Sequence, residues 1–260
     1  MRRSVTCFGV GEGRPSGDRR QASFLYRCGR TTLLVDCGDG MSCAFKAAGI
    51  GGEDVDAVLI SHMHSDHVGG FPMFIQSLWL QQRRRPLPVF APLQALTALK
   101  AWLEAVMLPQ ELIGFEIVWR PLGSGDRFRV GDVEVTVSPT SHLDSLRQSF
   151  GARYPATAFE AFSFVIEGAG FRLAHTADIG DVRDLQPLLK KRPDLLVCEL
   201  SHVEPEAICA ALKASPPARV AFVHVAREYL ESPQGVEARL HALLDPVPFS
   251  VPRDGEILAF

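Results

Sequence analysis

Ser61-His62-Met63-His64-Ser65-Asp66-His67-Val68-Gly69-Gly70 is the stretch around which the 260-residue chain is organised. It follows an apolar run, Val55-Asp56-Ala57-Val58-Leu59-Ile60, that reads as a short buried strand. Three imidazoles and one carboxylate then fall within six positions, from His62 to His67. Neutral imidazole and ionised carboxylate are good ligands for divalent transition metals. Without a metal, so many polar groups in one place would be costly to bury. A solvated loop that is merely rich in histidine is the plain alternative. The strand before the motif and the glycine pair after it favour a metal-binding loop.

Working outward, composition narrows the class. Hydrophobic residues make up 47% of the chain, enough for a sizeable core, and none of them form a membrane-length run. The net charge of −3 argues against general affinity for nucleic acid or anionic lipid. Cysteines at positions 7, 28, 37, 43, 198 and 209 are scattered, without a C-x-x-C pair. That usage fits reduced thiols and a cytoplasmic setting, and the N-terminus shows no apolar signal-peptide core.

In chain order, residues 4–10 read as a strand that runs into the glycine-rich turn Gly9-Val10-Gly11-Glu12-Gly13. Arg14-Pro15-Ser16-Gly17 follows where a dinucleotide site would need a helix, so the turn is read as a tight loop. Residues 22–28 and 31–36 form a hairpin, ending at Asp36. Helices are expected over 41–50, 71–80 and 93–107, with Arg83-Arg84-Arg85 as a solvated helix end. Strands at 115–121, 127–130 and 133–139 lead to His142. Residues 143–161 lack periodicity and are read as a candidate lid loop, or equally as a surface excursion, carrying Arg147 and Arg153. A second hairpin, 162–167 with 171–175, ends near Asp178, which alone reads as an N-cap for 182–190. Strands 194–199 and 219–223, helices 205–212 and 236–244 and a last strand at 256–260 complete the chain. No linker interrupts it, and 1–260 is expected to be one domain.

The H-x-H-x-D-H motif with its trailing glycines resembles the signature of the metallo-β-lactamase-fold hydrolases. That resemblance implies an α/β, four-layer αββα sandwich with two metal ions at one edge of the paired sheets. It implies His62, His64 and His142 for one metal, Asp66, His67 and His224 for the other, and Asp178 shared between them. Asp36 matches the family's carboxylate that orients the histidine loop, where its plain alternative is a strand-end turn residue. Zinc is the first expectation, and manganese or iron suit the same ligands.

Within the superfamily, the glycine-rich opening, the extension of the motif into Phe71-Pro72, and Val197-Cys198-Glu199-Leu200-Ser201-His202 resemble the ribonuclease Z-like branch. Catalytic parts follow for Asp66 and for Glu199 or His202, with Cys198 standing where ribonuclease Z has a histidine. Arg227 echoes a family arginine one position away and could hold a phosphate. The long arm with which ribonuclease Z grips tRNA is missing between His142 and Asp178. The expectation is therefore a phosphodiesterase for a small or cyclic phosphodiester, with tRNA unlikely as a partner and no membrane. Competing readings are a carboxylic, thioester, lactone or sulfate ester hydrolase, or a non-hydrolytic metal-holding protein of cofactor synthesis. A homodimer is expected by resemblance alone.

Overall fold

The computed structural model describes residues 3–232 and 234–260. Strands β1 (Arg3–Gly9), β2 (Ser23–Cys28), β3 (Thr31–Val35), β4 (Ala57–Leu59), β5 (Leu87–Pro92) and β6 (Ile117–Leu122) lie in one sheet. Strands β7 (Arg127–Val130), β8 (Val133–Thr140), β9 (Ala161–Gly168), β10 (Phe171–His175), β11 (Leu195–Leu200), β12 (Val220–Val225) and β13 (Phe249–Ser250) make the other. The last strand, β14 (Ile257–Ala259), returns to pair with β1, giving seven strands in each sheet.

Alternation along the strands sorts apolar side chains to two faces. In β3, Leu33 and Val35 turn toward the second sheet, while Leu34 faces helices. In β11, Leu195 and Val197 turn inward, while Leu196, Cys198 and Leu200 face outward. Both faces of each central strand are therefore buried, as near-continuous apolar runs require. The helices are α1 (Met41–Ala47), α2 (Ser65–Val68), α3 (Phe71–Leu80), α4 (Leu93–Ala105), α5 (Gln110–Ile113), α6 (Asp144–Phe150), α7 (Gln186–Leu189), α8 (Pro205–Ala214), α9 (Arg227–Leu230) and α10 (Val236–Leu244). Phe45, Phe74 and Leu99, from α1, α3 and α4, pack on the first sheet; Leu188, Ile208 and Leu240, from α7, α8 and α10, pack on the second. Each such buried side chain contributes roughly 1.5–3 kcal/mol. The result is the expected four-layer αββα sandwich, with one apolar layer between the sheets and one under each helical face.

Two local expectations are corrected. The stretch 143–161 is not wholly irregular, because residues 144–150 form α6. That helix buries none of its residues, so it leaves no apolar periodicity to read. Arg83 is not a solvated helix end. It is 1% exposed and donates to the carbonyls of Gly52, Arg85 and Pro86, which replace its water. All six cysteines are free, as their spacing suggests. Among the described residues no helix is long and apolar enough to cross a membrane.

Candidate metal centre

The strands β3, β4, β8, β10, β11 and β12 all deliver their C-terminal ends to one edge of the sandwich. Asp36 follows β3, Ser61 and His62 follow β4, and His142 follows β8. Asp178 lies three residues beyond β10, Glu199 is in β11 and His224 is in β12. The histidine loop passes from β4 into α2, a single turn that carries Asp66 and His67. Gly70 lets this loop close on the end of β3, because a Cβ there would overlap the Gly38 carbonyl oxygen. Asp36, Ala177 and His224 have φ of 59°, 47° and 49°. Left-handed backbone at non-glycine residues is strained, and its concentration here marks a functional site.

The side chains converge in two clusters, each with ligand atoms within 4.8 Å of one another. One contains His62, His64, His142 and Asp178; the other contains Asp66, His67, His224 and Asp178. Asp178 faces both. Its Oδ2 is 3.7 Å from His62 Nε2 and 3.5 Å from His142 Nε2. Its Oδ1 is 3.3 Å from His67 Nε2 and 3.7 Å from His224 Nε2.

Hydrogen bonds assign the imidazole tautomers. Buried Asp36 accepts at 2.7 Å from each of three donors: Ser61 N–H, Ser61 O–H and His67 Nδ1–H. With its proton given to Asp36, Ser61 Oγ accepts from His62 Nδ1–H at 3.0 Å. Ser201 repeats the device on the second sheet, donating to Glu199 Oε2 at 3.2 Å and accepting from His224 Nδ1–H at 2.9 Å. The Nε2 atoms of His62, His67 and His224 are thereby left deprotonated and face the cluster. Three buried polar atoms of these two clusters have no hydrogen-bond partner among the described residues: His62 Nε2, His67 Nε2 and Asp178 Oδ1. Orphaned acceptors pointing at one another are costly unless a cation lies between them, so the donor set fits divalent metal ions.

Burial holds the His62 and His64 imidazoles below their ordinary range and His142 at about 4, favouring the neutral, ligating form. Burial opposes ionisation of Asp178 and Asp66, and positive charge on His224 and His67, from protons or from metal ions in their place, is what holds both carboxyls well below their usual value.

Next to the clusters, His202 Nδ1 is 3.0 Å from Glu199 Oε1 and 3.9 Å from Asp178 Oδ2. Burial opposes protonation of His202, yet the hydrogen bond and charge of Glu199 push it up to about 9. Glu199 is itself anchored by backbone N–H groups of Ile179, Ser201 and His202. The arginines lie apart. Arg227 donates to the Pro15 carbonyl oxygen, Arg147 pairs with Asp144, and Arg153 is exposed. Among the described residues no hydrogen bond or ion pair joins any of the three to the two clusters. His175 is packed, with Nδ1 2.7 Å from Tyr26 Oη.

Residues 31–225 match the family model described as a beta-lactamase superfamily domain. The chain belongs to that superfamily. A ribonuclease Z from Exiguobacterium sp. is 33% identical over 135 residues, covering 52% of this chain and 44% of that relative. A ribonuclease Z from Mycobacterium sp. (strain KMS) is 28% identical over 237 residues, covering 81% and 80% of the two chains. The first relatives are thus matched over less than half their length. The metallo-beta-lactamase fold protein YhfI from Bacillus subtilis superposes with a TM-score of 0.76 at 16% identity, over 99% of both chains. Human tRNase Z, short form, superposes with a TM-score of 0.70 at 17% identity, over 98% of both. These structures share the superfamily fold.

The relatives correct one expectation. A small-molecule ester substrate with tRNA unlikely does not stand beside a series of relatives named ribonuclease Z. Net charge misled because it sums the whole chain, whereas binding depends on local potential. Sequence reasoning also missed the bridging hydroxyls of Ser61 and Ser201. Their only signal is adjacency, Ser61 to His62 and Ser201 to His202, and serine in a loop is ordinarily a turn residue.

Proposed function

We propose that the protein is a binuclear metal-dependent hydrolase that cleaves phosphodiester bonds of RNA. The observation that carries this reading is the placement of the two Asp178 oxygens, each turned toward a separate histidine cluster. His62, His64, His142 and Asp178 would hold one divalent ion, and Asp66, His67, His224 and Asp178 the other. Zinc is the ion proposed first, and the His/Asp donor set also suits manganese or iron. Ions held there supply an activated water near neutral pH and neutralise charge that develops on the phosphoryl group.

The chain's own residues do the rest. Asp36 and Ser61 hold His62 and His67 in the ligating tautomer, and Ser201 does the same for His224. Glu199 keeps His202 protonated and fixes it through Nδ1, so Nε2 presents a proton beside the cluster. Protonating the departing ribose oxygen is the work that an RNA substrate demands of this edge. His202 thereby takes the place that Cys198 leaves vacant in the family's pattern. Residues 143–161 form a lid in this reading, presenting Leu146, Phe150 and Tyr154 to solvent just beyond His142. The test is incubation of the zinc-loaded protein with a 3′-extended tRNA. Cleavage that is abolished by a chelator and restored by zinc is expected. RNA left intact by protein that hydrolyses bis(p-nitrophenyl) phosphate would overturn the RNA assignment.

A further inference from the structure

At the opposite end of the strands from the metal centre, a cavity of about 680 Å³ opens between the outer strands of the two sheets. Arg30, Arg85, Arg120 and Arg129 line it. Two carboxylates share the lining and both are committed: Asp56 to Arg85, and Asp132 to Arg30 at 3.1 Å. Arg120 on β6 and Arg129 on β7 form no ion pair within 4 Å among the described residues, so the lining sets four guanidinium groups against two carboxylates. Phe90, also in the lining, stacks on Phe128 with ring centroids 4.0 Å apart and planes 9° from parallel. An apolar lining keeps water off one side of an anion and strengthens its attraction to the guanidinium groups.

The cavity is also built rigidly. The hydroxyl of buried Thr31 accepts the Asp132 N–H at 2.9 Å, which leaves its own proton to donate. Gly131 permits that approach, since a Cβ there would overlap Thr31 Oγ1. Guanidinium groups and a hydroxyl in one lining suit the oxygens of phosphate groups.

We propose that this arginine cavity is a second phosphate-binding site that holds the backbone of an RNA strand away from the reacting bond. The proposal rests on the reading of RNA as substrate. β4 rises about 3.3 Å per residue, so Asp56 at the cavity and His62 at the metals are roughly 20 Å apart. A strand reaching both sites would need several nucleotides.

The experiment compares the zinc-loaded wild type with Arg120→Glu/Arg129→Glu, measuring fluorescence anisotropy of a labelled 3′-extended tRNA across a salt series. Bis(p-nitrophenyl) phosphate is too small to span the two sites, so its turnover reports whether the metal centre and fold are intact. Expected are unchanged reporter turnover, at least tenfold weaker RNA binding at low salt, and a log K against log[salt] slope shallower by about 1.5. Arg120→Lys/Arg129→Lys should restore most of the slope. Wild-type affinity and slope in the glutamate variant would overturn the cavity while leaving the RNA reading standing. A wild type that binds no RNA would overturn both. Displacement of the RNA by poly-glutamate at equal charge would mark the cavity as a surface for acidic protein and overturn it.

Discussion

Replacing Asp36 by Asn tests how the second shell of hydrogen bonds sets the ligands. The native carboxylate is fully buried and accepts three hydrogen bonds of 2.7 Å, from Ser61 N–H, Ser61 O–H and His67 Nδ1–H. The asparagine amide is nearly isosteric but has one oxygen and one NH2 group. If the oxygen keeps the Ser61 backbone donor, the NH2 faces Ser61 Oγ and His67 Nδ1, both of which were donors. To accept from it, His67 must carry its proton on Nε2, the atom that faces Asp66 and Asp178. The imidazole is then lost as a ligand in the Asp66–His67–His224 cluster, and in the other cluster His62 is disturbed indirectly, through Ser61 Oγ, which can no longer give its proton to Asp36. Losing such an orienting group weakens metal affinity about 10–100-fold, or roughly 1.4–2.7 kcal/mol. Competition with a chromogenic chelator should show the affinity for bound metal weakened by that factor. Wild-type affinity at both sites would show that Asp36 does not set the ligands.

Three further outcomes follow from other parts of the structure. His202→Gln should slow RNA cleavage by about 10²–10⁴, yet barely affect bis(p-nitrophenyl) phosphate, whose leaving group needs no proton; equal losses on both substrates would remove His202 from the proton-donor role. Burial pulls His175 down to about 3, so between pH 6.5 and 3 the unfolded chain takes up a proton that the folded chain refuses. The wild type should therefore lose stability as pH falls through that window by up to about 1.4 kcal/mol per pH unit more than His175→Gln; parallel denaturation curves would contradict this. Phe150→Ala/Tyr154→Ala, exposed side chains of the segment that follows His142 in the chain, should raise KM for RNA severalfold with metal content unchanged, and an unaltered KM would show that the segment is no lid.

Much of this centre was legible because its densest part is local. His62, His64, Asp66 and His67 lie within six positions after a strand, so their meeting needs only one turn. His142, Asp178 and His224 are far apart in sequence, and each is unremarkable at its own strand end; only the family pattern linked them before the sheets were seen to align those ends. β3 and β11 were readable as strands because burial of both faces leaves them as near-continuous apolar runs. α6 was not, because a helix that buries nothing carries no apolar stripe. Arg83 looked solvated because the carbonyl of Gly52 that receives it lies 31 positions away. The arginine cavity draws its four arginines from separate strands or turns, and their charge vanished within a net charge of −3.

In the proposed centre Asp178 would serve both cations. Its decisive check is the metal content of the purified, zinc-reconstituted protein, measured by mass spectrometry beside the Asp178→Ala variant. Two ions per chain are expected in the wild type and neither held tightly in the variant. One ion per wild-type chain, or two retained without Asp178, would contradict it.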